Sequence, residues 1–75
     1  MAELVVVKSF TPGLVARVNV KPGDKVENGA ELVVLNVMKT EIPVHANTSG
    51  TVKEVYVKEW DEVDVGTPLV ALEVA

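Results

Sequence analysis

The chain repeats itself once. Displaced by 37 positions and without a gap, Gly13 falls on Gly50, Val15 on Val52, Val18 on Val55 and Val20 on Val57. Lys21 then meets Lys58, Asp24 meets Asp61, Val26 meets Val63 and Gly29 meets Gly66. Leu32, Val33, Leu35 and Val37 land on Leu69, Val70, Leu72 and Val74. Valine is abundant, at 18 of the 75 residues, and favours strands. Abundance alone does not place a glycine, an aspartate and the same skipped apolar beat in both copies. Two copies are too few for a solenoid or propeller, which needs three or more units to close a core. They suffice for two halves that each cover the other's apolar face. The repeat therefore predicts an all-β fold of two four-stranded antiparallel sheets with pseudo-two-fold symmetry, a flattened barrel or sandwich.

Taken in order, the apolar spacing reads as short strands over Glu3–Ser9 and Leu14–Val20, a stub at Val26, then Leu32–Val37. The second half reads Thr40–Ala46, Thr51–Val57, a stub at Val63–Val65 and Leu69–Val74. Val15, Val18 and Val20 skip a beat, which predicts a bulge or bend in the second strand. Pro22-Gly23 and Asn28-Gly29 are turn signals. Pro43 cannot donate to a ladder, so its nitrogen must face an unpaired edge or solvent. No stretch carries a helical period.

Near the middle lies Val37-Met38-Lys39-Thr40, flanked by Leu32–Leu35 and by Ile42, Val44 and Ala46 at alternate positions. Period-two runs on both sides of a two-residue break predict a β-hairpin. Its turn ordinarily takes Asn-Gly, because both central residues need φ > 0. Met38 and Lys39 in that place cost of order 1–2 kcal/mol each, which points to selection for presentation of the side chains. A Lys and a Met that simply cap a barrel end are the plainer alternative. The 37-residue shift carries Lys39 onto the neighbourhood of residues 2 and 75, so the hairpin is expected to be the symmetry mate of the paired chain ends.

Several classes of function are excluded or disfavoured. There is no Cys, so no thiolate metal site or disulfide framework exists. A net charge of −4 with dispersed acids argues against a nucleic-acid footprint. No apolar run reaches the length of a membrane span, and residues 1–9 lack a basic start followed by an apolar segment. The expectation is one domain over residues 1–75, cytoplasmic by default, either free-standing or part of a longer protein. An amine in water is mostly protonated at neutral pH and a poor nucleophile. No base is placed to activate Lys39, since His45 lies six residues along a strand.

The run P-G-L-V-A-R-V-N-V-K-P-G-D-K-V-E-N-G-A-E-L-V-V-L-N-V-M-K-T resembles the first half of the biotinyl/lipoyl attachment family. E-I-P-V-H-A-N-T-S-G-T-V-K-E-V-Y-V-K-E-W-D-E-V-D-V-G-T-P-L resembles its second half. The resemblance implies the barrel-sandwich hybrid, or hammerhead, fold of eight strands. It implies that Lys39 on the central hairpin is the covalent attachment point. Met38-Lys39 is similar to the Met-Lys of the biotin branch, whereas lipoyl domains usually carry Asp-Lys-Ala. The implied cofactor is thus biotin, with lipoate as the alternative. Implied partners are a biotin protein ligase, a biotin carboxylase and a carboxyltransferase, with no nucleic acid and no membrane insertion. The implied role is a carboxyl carrier that is a substrate of other enzymes and not itself an enzyme. Lipoyl carriers of 2-oxoacid dehydrogenase or glycine-cleavage systems, and unmodified structural barrels, are the competing roles.

Departures from the family pattern fall on residues a ligase inspects. Asn36 stands for the usual Glu, Val37 for Ala or Ser, and Thr40 for a second Met, so Val37, Met38 and Thr40 are the candidate recognition positions around Lys39. The gapless repeat leaves no room for the inserted thumb of some bacterial carriers. Trp60 occupies the position of Gly23 in the first half. It is expected to lid one end of the barrel, with a docking contact as the alternative.

Overall fold

The computed structural model describes residues 3–74. Eight strands follow one another: β1 (Glu3–Lys8), β2 (Gly13–Val18), β3 (Lys25–Val26), β4 (Glu31–Val37), β5 (Thr40–His45), β6 (Gly50–Val55), β7 (Glu62–Val63) and β8 (Pro68–Val74). They form two antiparallel four-stranded sheets, ordered β1-β8-β6-β3 and β5-β4-β2-β7. Adding 37 to the bounds of β1, β2, β3 and β4 returns those of β5, β6, β7 and β8. The same operation turns one sheet order into the other, as the repeat predicts.

Each half builds part of the other's sheet. In the turn after β2, Gly23 donates its N–H to Val52 O at 2.8 Å, and Val52 N–H donates to Asp24 O at 2.7 Å. In the equivalent turn, Trp60 N–H donates to Val15 O at 2.7 Å and Val15 N–H to Asp61 O at 2.9 Å. The turns close themselves identically. Asp24 Oδ2 accepts from Lys21 N at 3.0 Å, and Asp61 Oδ2 accepts from Lys58 N at 2.9 Å. Neither half can complete its hydrogen bonds alone, so folding is a joint act of the two.

The expected bulge is present, and twice. Pairing of β2 with β4 slips between Val15 and Arg17, and pairing of β6 with β8 slips between Val52 and Glu54. β4 and β8 occupy interior places in their sheets, and each buries four residues in a row, Leu32–Leu35 and Leu69–Leu72. Leu32, Val33, Leu35, Leu69, Val70 and Leu72 join Val15, Val44, Ala46, Val52 and Val63 in one core between the sheets. Val34 and Ala71 are buried outside that core, where the registers set Arg17 and Pro43 beside Val34, and Val6 and Glu54 beside Ala71. Full burial of a Leu or Val stabilises by about 1.5–3 kcal/mol, so these two strands supply much of what a chain this short can bury.

Several sequence expectations need adjustment, among them the strand expected over Thr51–Val57, which runs Gly50–Val55. The second strand stops at Val18, not Val20: Asn19 N–H still donates to Leu32 O, at 2.9 Å, before the chain enters the Lys21–Asp24 turn. The stub expected at Val63–Val65 is Glu62–Val63. There Asp64 Oδ1 accepts from Val65 N at 2.7 Å and Asp64 N–H donates to Thr67 Oγ1 at 2.9 Å, which bends the chain out of the sheet. Trp60 is no lid. It is 73% exposed with φ +75, and the core closes without it.

Candidate functional site

β4 and β5 meet in a two-residue turn. Val37 pairs with Thr40, and Met38 and Lys39 fill the turn with φ +48 and +69. Both positive values match the type I′ geometry that a right-twisted hairpin requires. The ladder below holds the turn in place, with Asn36 opposite Glu41, Leu35 opposite Ile42 and Val34 opposite Pro43. Pro43 lies on β5 at the sheet edge, as its missing N–H demands.

The four candidate residues diverge in exposure. Met38 is 93% exposed, and Lys39 and Thr40 are exposed beside it. Val37 is half-buried and packs against the core. Arg17 Nη2 meets Glu41 Oε1 at 3.3 Å and Lys53 Nζ meets Glu73 Oε2 at 4.0 Å. Neither ion pair occupies Lys39, and both are solvent-exposed pairs of the kind worth about 0–1 kcal/mol. His45 pairs with Glu31 at the opposite end of β5 and does not approach the turn. Among the described residues no cluster of three or more His, Asp or Glu side chains could hold a metal ion. The arrangement offers an exposed primary amine on a hairpin tip, and among the described residues that amine takes part in neither ion pair. It suits modification by another enzyme, and the open surroundings fit a covalently attached group.

Gly13 supports the hairpin from below, a role that the residues around Lys39 do not reveal in the sequence. A Cβ there would stand 2.9 Å from Asn36 O and 2.9 Å from Val37 Cγ2, so only glycine lets β2 pass this close to the base of the turn. Its appearance in both copies of the repeat was the available signal. Its mate Gly50 makes the same approach to Glu73 O, at 2.7 Å.

The family described as "Biotin-requiring enzyme" matches residues 5–72. The mitochondrial propionyl-CoA carboxylase alpha chains of Caenorhabditis elegans and Caenorhabditis briggsae are each 54% identical over 41 residues, 55% of this chain and 6% of theirs. A single-chain, multi-domain long-chain acyl-CoA carboxylase superposes with a TM-score of 0.90 at 26% identity, covering 96% of this chain and 7% of that one. The Kluyveromyces lactis urea carboxylase superposes with a TM-score of 0.87 at 28% identity, over 93% of this chain and 6% of that one. The chain thus spans under a tenth of the carboxylases that it matches. The hammerhead sheets and the match across almost the whole length agree, and the chain belongs to the biotin/lipoyl attachment family of biotin-requiring enzymes.

Proposed function

We propose that the chain is a biotin carboxyl carrier, with biotin joined through an amide to Lys39 Nζ. The observation that supports this reading most is the exposed Met38-Lys39 pair on a strained two-residue turn, in a chain whose relatives are carboxylases. Bound there, biotin supplies the ureido group that takes up a carboxyl group at a biotin carboxylase and gives it off at a carboxyltransferase. The chain's own residues bind, orient and extend. The β4–β5 ladder fixes the base of the arm, Gly13 and Val37 anchor the turn to the core, and Lys39 adds reach. Tethering raises the effective concentration of the carried group at each partner site, while the bond-making belongs to the partners. A biotin protein ligase supplies the activated acyl donor and removes the amine's proton. This carrier is a substrate, and it catalyses no step itself.

Coexpression with a biotin protein ligase tests the reading. Intact mass is expected to show one biotinyl adduct that binds streptavidin, and Lys39→Arg to remove it with the fold unchanged. An adduct on another lysine, or a lipoyl mass from the native source, overturns the assignment. Val37 bears on the rate. It is half-buried with Cγ2 close over Gly13, so Val37→Ala loosens and shrinks a position beside the acceptor. Val37→Ala is expected to speed biotinylation several-fold, and Thr40→Met to do so less or not at all. Equal ligase rates for all three proteins would remove Val37 and Thr40 from ligase recognition.

A further inference from the structure

Beside the hairpin lies an open hollow that the attachment chemistry leaves unused. Its floor and near wall are Gly13, Leu14, Val37 and Met38, and its far wall is Glu62–Asp64 of β7 and the residue after it. The pseudo-two-fold supplies an internal control, because every wall residue except Met38 has a mate among the described residues of the other half. Leu14, 39% exposed, corresponds to Thr51, and Pro12 at the mouth corresponds to Ser49. Phe10 and Val65, next in sequence to the lining residues Thr11 and Asp64, are exposed apolar residues, and their mates are Asn47 and Asn28. Glu62 corresponds to Lys25. Among the described residues the two halves keep matching strand bounds, and the hollow beside Lys39 is lined by apolar residues with Glu62 and Asp64 as its ionisable groups.

We infer that this hollow is the resting place of the chain's own biotin arm. The inference rests on the carrier reading above. Biotin's bicycle pairs an apolar thioether ring with a ureido group that has two N–H donors and one carbonyl acceptor. Leu14, Val37 and Met38 offer apolar contact to the ring. The Glu62 carboxylate is exposed and takes part in neither ion pair, so it is free to accept a ureido N–H. Asp64 already accepts from Val65 N through one oxygen and has the other to offer. The Asn36 side chain, on the hairpin wall, can donate to the ureido carbonyl. Lys39 directly follows a wall residue, and its methylenes, the amide and the valeryl chain are long enough to fold back over Met38. The dock is open to solvent on one side, so a partner site competes for the bicycle without rearranging either sheet.

Amide NMR of the unmodified and biotinylated proteins tests the dock, with intact mass confirming the adduct. Expected are shift changes at Gly13, Leu14, Val63 and Asp64 beyond those at the turn. None is expected at their mates Gly50, Thr51, Val26 and Glu27. Leu14→Thr installs the mate's residue, and Glu62→Gln removes the carboxylate charge. Each should shrink the changes by half or more and raise the streptavidin association rate several-fold. An adduct that moves only residues 37–40, or variants that leave both readouts unaltered, overturns the dock and leaves the carrier reading standing. Failure to form any adduct overturns the carrier reading and the dock with it.

Discussion

The turns Lys21–Asp24 and Lys58–Asp61 make the same hydrogen bonds to opposite sheets, yet one places Gly23 and the other Trp60 in the left-handed region, at φ +97 and +75. Glycine adopts that conformation freely, whereas a residue with a Cβ costs about 1–2 kcal/mol. The described non-glycine residues with positive φ are Met38, Lys39 and Trp60. Met38 and Lys39 close the hairpin of the β5-β4-β2-β7 sheet, and Trp60 bonds to β2 of that sheet. The halves thus share what the backbone needs and differ in what they show to solvent. Strain of this kind collects where a surface is put to use, and the exposed apolar residues around the hollow follow the same asymmetry.

If the halves are equivalent in the core, equivalent deletions should cost alike. Leu32 and Leu69 are mates and both are fully buried. Leu32→Ala and Leu69→Ala are each expected to lower stability by about 2–5 kcal/mol, read from urea unfolding. A loss at one site less than half that at the other would break the symmetry of the core.

The close-packed glycines should separate stability from function. A Cβ at Gly50 meets Glu73 O at 2.7 Å and one at Gly13 meets Asn36 O and Val37 Cγ2 at 2.9 Å. Gly50→Ala and Gly13→Ala are each expected to cost about 1–3 kcal/mol, since backbone must shift. Only Gly13→Ala should also slow biotinylation at a temperature where both proteins are folded, because its clash displaces the base of the turn. Equal slowing by both would show that the ligase senses general loosening instead of the hairpin.

The turns themselves give a smaller and opposite pair of effects. Gly23→Ala forces a Cβ into φ +97 and should destabilise by about 1 kcal/mol. Trp60→Gly relieves strain of about 1–2 kcal/mol but adds unfolded-chain entropy of about 0.5–1 kcal/mol, so the net gain is about 0–1.5 kcal/mol. A loss above about 1 kcal/mol would mean that the exposed indole stabilises the fold beyond what its positive φ costs.

How much of this was legible in the sequence depends on the range of the interactions involved. The hairpin was readable because period-two runs flank Met38-Lys39, and the two sheets were readable from the 37-residue repeat. Pro43 announced its edge strand through a missing N–H. The end of β7 was not readable, because it depends on the Asp64 carboxylate capturing Val65 N and on Thr67 capturing Asp64 N. The exposure of Trp60 depends on how a turn of one half lies along a strand of the other, and no local pattern encodes that. The closeness of Gly13 to Val37 and the hollow beside them are likewise built from segments far apart in sequence.

The mates Asn19 and Tyr56 give the smallest contrast, one that titrates. Both backbone N–H groups bond to the mated strands, Asn19 to Leu32 O at 2.9 Å and Tyr56 to Leu69 O at 2.8 Å. Their side chains differ. Asn19 Nδ2 donates to Glu31 Oε2 at 3.2 Å and carries no titrating proton. The Tyr56 phenol, exposed on the surface, is raised above its ordinary 10.0, first by the desolvation its neighbours impose and then by the nearby Glu54 carboxylate. The folded state therefore holds this proton more tightly than the unfolded chain. Its contribution to stability is fully present below about pH 10 and is lost as pH rises through the folded value. Tyr56 is the sole tyrosine, so phenolate absorbance during alkaline titration reads it directly. Glu54→Gln should lower the midpoint part of the way, because the desolvation by the remaining neighbours persists. An ordinary midpoint in the native protein, or one that Glu54→Gln does not move, would remove Glu54 from the account and leave the two mates alike in all but size.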